Sequence, residues 1–159
     1  MILRPATEAD IPPILAIWNP LIRQTAVTFT TEEKTPETLA AELTARGEAF
    51  IVAETGGRIA GFASFGPFRA GPGYRHTAEH TVILADHARG RGTGRALMTR
   101  LESVARGRDI HTLIGAVSGE NAGAIAFHEA MGFARVGLLP EAGHKFGRWM
   151  DLVLFLKHP

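Results

Sequence analysis

Hydrophobic and polar positions follow two periods along this chain. Ile11, Ile14, Leu15, Trp18 and Ile22 recur three and four residues apart, which predicts a helix. Ahead of it, Thr7 and Asp10 resemble a capping box, and Pro12 and Pro13 fall near the first turn, where proline is tolerated. A loop is expected from about Arg23 to Lys34. Thr35-Pro36-Glu37 then gives cap, proline and acid in the order of a second helix start, with Leu39 and Leu43 on the buried side. Leu97, Met98, Leu101, Val104 and Ala105 mark a third helix. Asn121 caps a fourth that runs through Met131 and closes at Gly132.

Between the helices the pattern shifts to short β-rich runs. Ile2-Leu3-Arg4 reads as a first strand. Phe50 to Glu54 and Arg58 to Phe65 flank the polar linker Thr55-Gly56-Gly57, a hairpin signal. Further strands are expected over Thr77–Leu84, Thr112–Val117, Arg135–Leu139 and Trp149–Leu156. The order β-α-α-β-β-β-α-β-α-β-β interleaves helices with strands yet pairs early strands through a hairpin, so a mixed α/β sheet is expected. There is no internal repeat or linker, and 159 residues suit one domain spanning 1–159.

Composition narrows the function classes. Seventeen basic against sixteen acidic residues leave a net charge of +1, which argues against a broad nucleic-acid or membrane surface. With no cysteine, a disulfide scaffold, a thiolate metal site and a thiol nucleophile are excluded. A cysteine-free chain fits a reducing compartment, so the cytoplasm is expected. No run approaches the ~20 apolar residues of a spanning helix.

The most informative segment is Arg89-Gly90-Arg91-Gly92-Thr93-Gly94-Arg95, which follows a strand and opens a helix. Glycines let the backbone approach a ligand, and a helix start offers unpaired amides to an anion. Counting from Gly90, the sixth position is Arg95, so the dinucleotide fingerprint is broken, and no G-x-x-x-x-G-K-[ST] occurs. What remains is Q/R-x-x-G-x-G/A, met by Arg89, Gly92 and Gly94. Together with the Asn121-to-Phe133 segment, an Asn-capped helix ending in Gly-Phe, it resembles the two signatures of the GCN5-related N-acetyltransferase (GNAT) superfamily. Glu79-His80-Thr81-Val82, the Phe65–Glu79 stretch and Lys145-Phe146-Gly147-Arg148-Trp149 narrow the resemblance to the phosphinothricin and methionine sulfone–sulfoximine acetyltransferase group.

That resemblance implies a GNAT fold: a mixed, mostly antiparallel sheet of about seven strands with about four helices. It implies acetyl-CoA as cofactor, held by the backbone of Val82, Ile83 and Leu84, by Gly90 to Arg95 after Arg89, and by Asn121. It implies Glu79 as the base that accepts the amine proton, directly or through water. The superfamily's usual tyrosine proton donor is missing, because the one tyrosine, Tyr74, lies in the Gly/Pro loop. His128 takes the corresponding helical position, and a histidine can donate near neutral pH. The expected acceptor is a small amino-acid-like molecule near Phe29, Arg69, Gly71, Arg75, His80 and Lys145, since Arg and Lys suit carboxylate, phosphinate or sulfone oxygens. Phe146 stands where the group often has histidine, which favours a slim sulfone or sulfoximine over phosphinothricin. Members of the group are typically homodimers, so a homodimer is expected.

Three other readings compete. His76-Thr77-Ala78-Glu79-His80 fits the zinc pattern H-x-x-E-H, but in a strand positions four apart are ~13 Å apart and cannot share an ion, so no metal is expected. Arg89, Arg91, Arg95 and Arg100 could suggest nucleic acid, yet no aromatics interleave with them and Arg106 is expected to pair with Glu102 at i,i+4. A non-catalytic acyl-CoA-binding module, or a related enzyme acting on a polyamine or peptide, keeps the cofactor motif and changes the acceptor.

Overall fold

The computed structural model describes residues 1–159. In chain order the elements are β1 (Ile2–Pro5), α1 (Ile11–Gln24), α2 (Pro36–Arg46), β2 (Phe50–Thr55), β3 (Arg58–Pro67), β4 (Thr77–Leu84), α3 (Thr93–Gly107), β5 (Thr112–Ser118), α4 (Ala122–Ala130), β6 (Ala134–Lys145) and β7 (Arg148–Lys157). The strands form one sheet in the order β1-β2-β3-β4-β5-β7-β6. Every neighbouring pair is antiparallel except β4–β5. The expected mixed sheet of seven strands with four helices is what forms.

Strand alternation divides the core between the two faces. Ile51, Ala63, Phe65, Leu113, Val153 and Phe155 face α3, whose Leu97, Met98 and Leu101 are fully buried. On the opposite face Phe50, Val52 and Phe62 meet Ile14, Trp18 and Ile22 of α1 and Leu39 and Leu43 of α2. Truncating one of the buried leucines to alanine costs about 2–5 kcal/mol by the usual cavity rule. No helix is long and apolar enough to cross a membrane.

Local caps explain the helix starts. Asp10 accepts from the Thr7 amide at 2.8 Å, closing the 3₁₀ turn Glu8–Asp10 that leads into α1, and Thr35 Oγ1 accepts from the Thr38 amide at 3.1 Å at the start of α2. Residues 25–35 form no regular element, as expected, but α1 continues to Gln24, where the Thr25 amide closes the last turn on Leu21.

The C-terminal hairpin is longer than the sequence pattern indicates. β6 runs on past Leu139 to Lys145, with a register irregularity between Leu139 and Gly143. Pro140 and Glu141, the latter at φ 54°, interrupt the alternation there, and Asp151 Oδ1 accepts from the Glu141 amide. The turn is Phe146-Gly147, both at positive φ, a conformation that suits the strand twist but is uncommon for phenylalanine. One expected ion pair is corrected: Glu102 is buried and receives Lys157 Nζ at 2.9 Å, not Arg106.

Candidate active site

The site begins where two strands part. β4 and β5 pair in parallel only from Thr77↔Thr112 to His80↔Gly115. Beyond that point β4 stays paired with β3 through Leu84, while β5 stays paired with β7 through Ser118. The β5-facing edge of Thr81, Val82, Ile83 and Leu84 is therefore left without a strand partner. Unpaired backbone donors and acceptors on such an edge suit an extended amide-bearing arm.

Just past the open edge lies the glycine-rich turn. Gly90 and Gly92 sit at φ 71° and 81°, and Gly92 is the N-cap of α3. The amides of Gly90, Arg91 and Gly92 donate to no protein group. The first α3 amides, at Thr93, Gly94 and Arg95, follow them and lack intrahelical acceptors by the nature of a helix start. Consecutive free amides at the positive end of a helix dipole form an anion cradle. Arg89, Arg91 and Arg95 rim it and are exposed. Gly94 permits close packing: a Cβ there would lie 3.2 Å from Phe127 and 3.5 Å from Leu84, so α3, α4 and the end of β4 meet at this residue.

Glu79 stands one register position before the fork, opposite Gly66 on β3 and Ile114 on β5. Alternation points it to the α1–α2 side. Its tip reaches solvent, yet partial burial pushes its carboxyl above the usual carboxylate range, against the opposing pull of the Arg46 guanidinium. Arg46, at the end of α2, also donates to Ser64 Oγ and pairs with Glu42 at 3.3 Å. Nothing in the sequence singled out Arg46, because α2 and β4 meet only through the fold. From Glu79 an apolar strip crosses the same face through Ile114 and Ala116 to Leu154 and Leu156.

His80 points to the opposite face, as alternation requires, and is buried. Its Nε2 lies 2.8 Å from Nε2 of His128, which is also buried, while His128 Nδ1 lies 2.7 Å from the Ala124 carbonyl. Asn121 caps α4: its Oδ1 accepts from the Ala124 amide at 3.1 Å.

The acceptor residues expected from sequence fall in two groups. Lys145 is buried, and its Nζ donates to the carbonyls of Thr25 at 2.8 Å and Thr28 at 2.7 Å. It pairs with no carboxylate, and burial pushes its ammonium below the usual lysine value. Phe29, on the same loop, is half-buried with its ring on Gly143, where a Cβ would come within 2.4 Å. Gly71, Arg69 and Arg75 lie in the exposed segment before β4; Gly71 is at φ 107°, Arg69 sits over the Tyr74 ring, and Arg75 Nε donates to His76. No direct contact joins either arginine to Glu79. His76 lies in the turn that precedes β4 and His80 within the strand, and they part company: His76 bonds the Asp109 carbonyl, and His80 meets His128.

The model of the acetyltransferase (GNAT) family matches residues 16–133. The chain belongs to that family. An L-methionine sulfoximine/L-methionine sulfone acetyltransferase of Pseudomonas aeruginosa is 38% identical over 157 residues, covering 94% of this chain and 90% of that protein. Among solved structures, a putative acetyltransferase of Salmonella typhimurium with its cofactor acetyl-CoA superposes with a TM-score of 0.94 at 33% identity, covering 99% and 93%. One described as a ribosomal-protein-alanine N-acetyltransferase, from Brucella melitensis, has a TM-score of 0.94 at 40% identity and full coverage of both chains. The chain is thus an acetyl-CoA-dependent N-acetyltransferase. Its own features fit that cofactor: the free β4 edge suits amide groups, and the amide cradle with three arginines suits phosphates.

Proposed function

We propose that the chain transfers acetyl from acetyl-CoA to the α-amine of a small amino-acid-like acceptor of the methionine sulfone, methionine sulfoximine or phosphinothricin kind. The observation that carries this reading is Glu79, a carboxylate one register position before the fork and beside an apolar strip. Bound acetyl-CoA supplies an activated acyl carbon. The backbone of Val82 to Leu84 would hold its arm, Gly90 to Arg95 would hold its phosphates with the Arg89 side chain, and Asn121 would contact it near the thiol end. Glu79 accepts the proton of the attacking amine, directly or through one water; its raised pKa brings it closer to the working pH. The strip Ile114–Ala116–Leu154–Leu156 takes the acceptor's apolar arm. Phe29 walls one side, and the third N–H of Lys145, with Arg69 and Arg75, favours acceptor oxygens.

The test is thiol release from acetyl-CoA with methionine sulfone, methionine sulfoximine, phosphinothricin, methionine, spermidine and a short alanine-terminated peptide. Release with the sulfone or sulfoximine well above plain methionine is expected. Release with the peptide alone would move the acceptor to a protein N-terminus, the reading that the similarity to the Brucella melitensis protein favours. Release with none would leave a cofactor-binding module.

A second copy of this chain is the partner this reading implies. The β6–β7 hairpin exposes Val136, Leu138, Leu139 and Trp149, apolar side chains that a second copy would cover. Light scattering at micromolar concentration is expected to give twice the 17.1 kDa chain mass; a monomer would refute it.

A further inference from the structure

The proposed reaction needs neither ring of the His80–His128 pair, yet the two imidazoles occupy the root of the fork. Their hydrogen bonding fixes where the protons are. The Ala124 carbonyl can only accept, so the nitrogen 2.7 Å from it, His128 Nδ1, carries a hydrogen. In a neutral ring His128 Nε2 is then bare. It faces His80 Nε2 at 2.8 Å, which therefore donates. His80 Nδ1 is left bare: it is buried, and the nearby Ile114 backbone does not meet it in hydrogen-bond geometry. Every N–H of the pair is spent, one inside it and one on the α4 backbone.

The surroundings keep the rings uncharged. Phe133 and Phe155 pack within 5.3 Å of the His128 ring, and Phe127 meets it edge-on. No carboxylate or cationic side chain bonds either imidazole. Behind this shell Lys157 lies over the Phe133 ring and pairs with Glu102. Burial accordingly lowers both histidines, His80 to about 3. Room for the rings exists because residue 115 is glycine: a Cβ there would lie 2.7 Å from His128 Nε2 and 2.9 Å from His80 Cε1. Gly115 is also the last β5 residue registered with β4, opposite His80. The pair thus bridges β4 and α4 where the strands separate.

We propose that His80 is a positioning residue: bonded to His128, it forms a neutral prop that seats α4 against the fork and so sets the groove for the cofactor's thioester arm, giving up no proton during transfer. The proton balance closes without it. The amine proton passes to Glu79 and on to solvent, the C–S bond breaks as the C–N bond forms, and the leaving sulfur takes its proton from solvent. This inference rests on the acetyltransferase reading of the site.

A double-mutant cycle of His80→Leu and His128→Phe tests it, read by thermal midpoint, acetyl-CoA affinity by calorimetry, and kcat across pH. Removing one partner leaves a buried polar nitrogen stranded, whereas removing both removes the need. Each single variant is expected to lower the midpoint and weaken acetyl-CoA by roughly tenfold, with the double variant recovering most of both. kcat should recover to within about fivefold of wild type, with the alkaline limb of its pH profile unmoved. A double variant with midpoint and affinity restored but kcat still down about a hundredfold, the scale of a lost general acid, would make His128 the proton donor and overturn the proposal. Strictly additive midpoints would overturn it too, since no coupled prop would exist. Should the double variant fail to fold, His80→Gln decides: its amide can still donate to His128, so midpoint and kcat should stay close to wild type, and lost kcat at an unchanged midpoint refutes a positioning role. If the wild-type protein acetylates no amine, the function reading fails, while the midpoint and affinity arms still judge the prop.

Discussion

Replacing Lys145 by methionine separates a loop fastener from a fold stabiliser. Methionine keeps the apolar stem in its buried slot and removes the ammonium that holds the Thr25 and Thr28 carbonyls. Two hydrogen bonds from a charged donor are worth about 1.5–3 kcal/mol each. Against that gain stands a buried cation with no carboxylate partner, whose desolvation costs several kcal/mol. The two nearly cancel, so global stability should change by no more than about 2 kcal/mol, a midpoint shift under about 8 °C for a chain of this size. The local effect is larger: the Thr25–Phe29 stretch loses both bonds to Lys145 and keeps the Phe29 ring on Gly143, while Asn19 still holds Lys34 at the far end of the loop.

The expected result is an acceptor KM raised about tenfold, equivalent to ~1.4 kcal/mol, with acetyl-CoA affinity unchanged. Amide exchange at Val27 to Phe29 should speed up in the same variant. The pH dependence has a definite sign. Burial lowers the folded-state pKa of Lys145 below 10.5, so the native state sheds its proton first. Stability should therefore rise as pH climbs from that lowered value toward 10.5 in the wild type, and this rise should vanish in Lys145→Met. An unchanged acceptor KM together with unchanged loop exchange would refute the fastener.

Three further outcomes follow from the same geometry. Glu79→Gln should lower kcat by well over tenfold with acetyl-CoA binding kept, and should abolish an acid limb of kcat/KM lying above the ordinary carboxylate range; normal turnover in steady-state assays would remove Glu79 as base. His80, with its folded pKa near 3 against 6.5 unfolded, binds its proton more weakly in the native state, so stability should fall as pH drops from 6.5 toward 3, by about 1.4 kcal/mol per pH unit for each fully depressed histidine. Urea titrations at pH 7 and 5 measure this, and a flat dependence would contradict a buried neutral pair. Gly115→Ala should cost about 2–5 kcal/mol, combining an overpacked Cβ 2.7 Å from His128 with a broken ring–ring bond; a thermal midpoint within 2 °C of wild type would show the rings can move aside.

What the sequence revealed, and what it hid, divides by range of interaction. The α1 stripe at Ile11, Ile14, Trp18 and Ile22 and the α3 stripe from Leu97 to Ala105 were legible because a helix writes its burial into spacing of three and four. The Gly90–Gly94 turn was legible for a related reason: free amides and positive φ demand glycine at fixed local offsets. The sequence pattern ends β6 at Leu139 because Pro140 reads as a strand breaker, although Asp151 across the hairpin bonds the Glu141 amide and the strand resumes. The Phe146-Gly147 turn hid because phenylalanine seldom marks a left-handed position.

Contacts across long separations left no local trace at all. His80 and His128 are 48 residues apart, and Lys145 meets carbonyls 120 and 117 residues away. Read alone, a histidine on a helix and a lysine near the last strands look like chemistry. Placed by the sheet, both have most of their hydrogen-bonding capacity committed: His128 to the Ala124 carbonyl and His80, Lys145 to the Thr25 and Thr28 carbonyls. Glu79 differs: its only charged neighbour opposes the shift that burial imposes, and no hydrogen bond holds its oxygens. A carboxylate with uncommitted acceptors beside an open strand edge is free to take a proton, and that freedom separates the base from the scaffold around it.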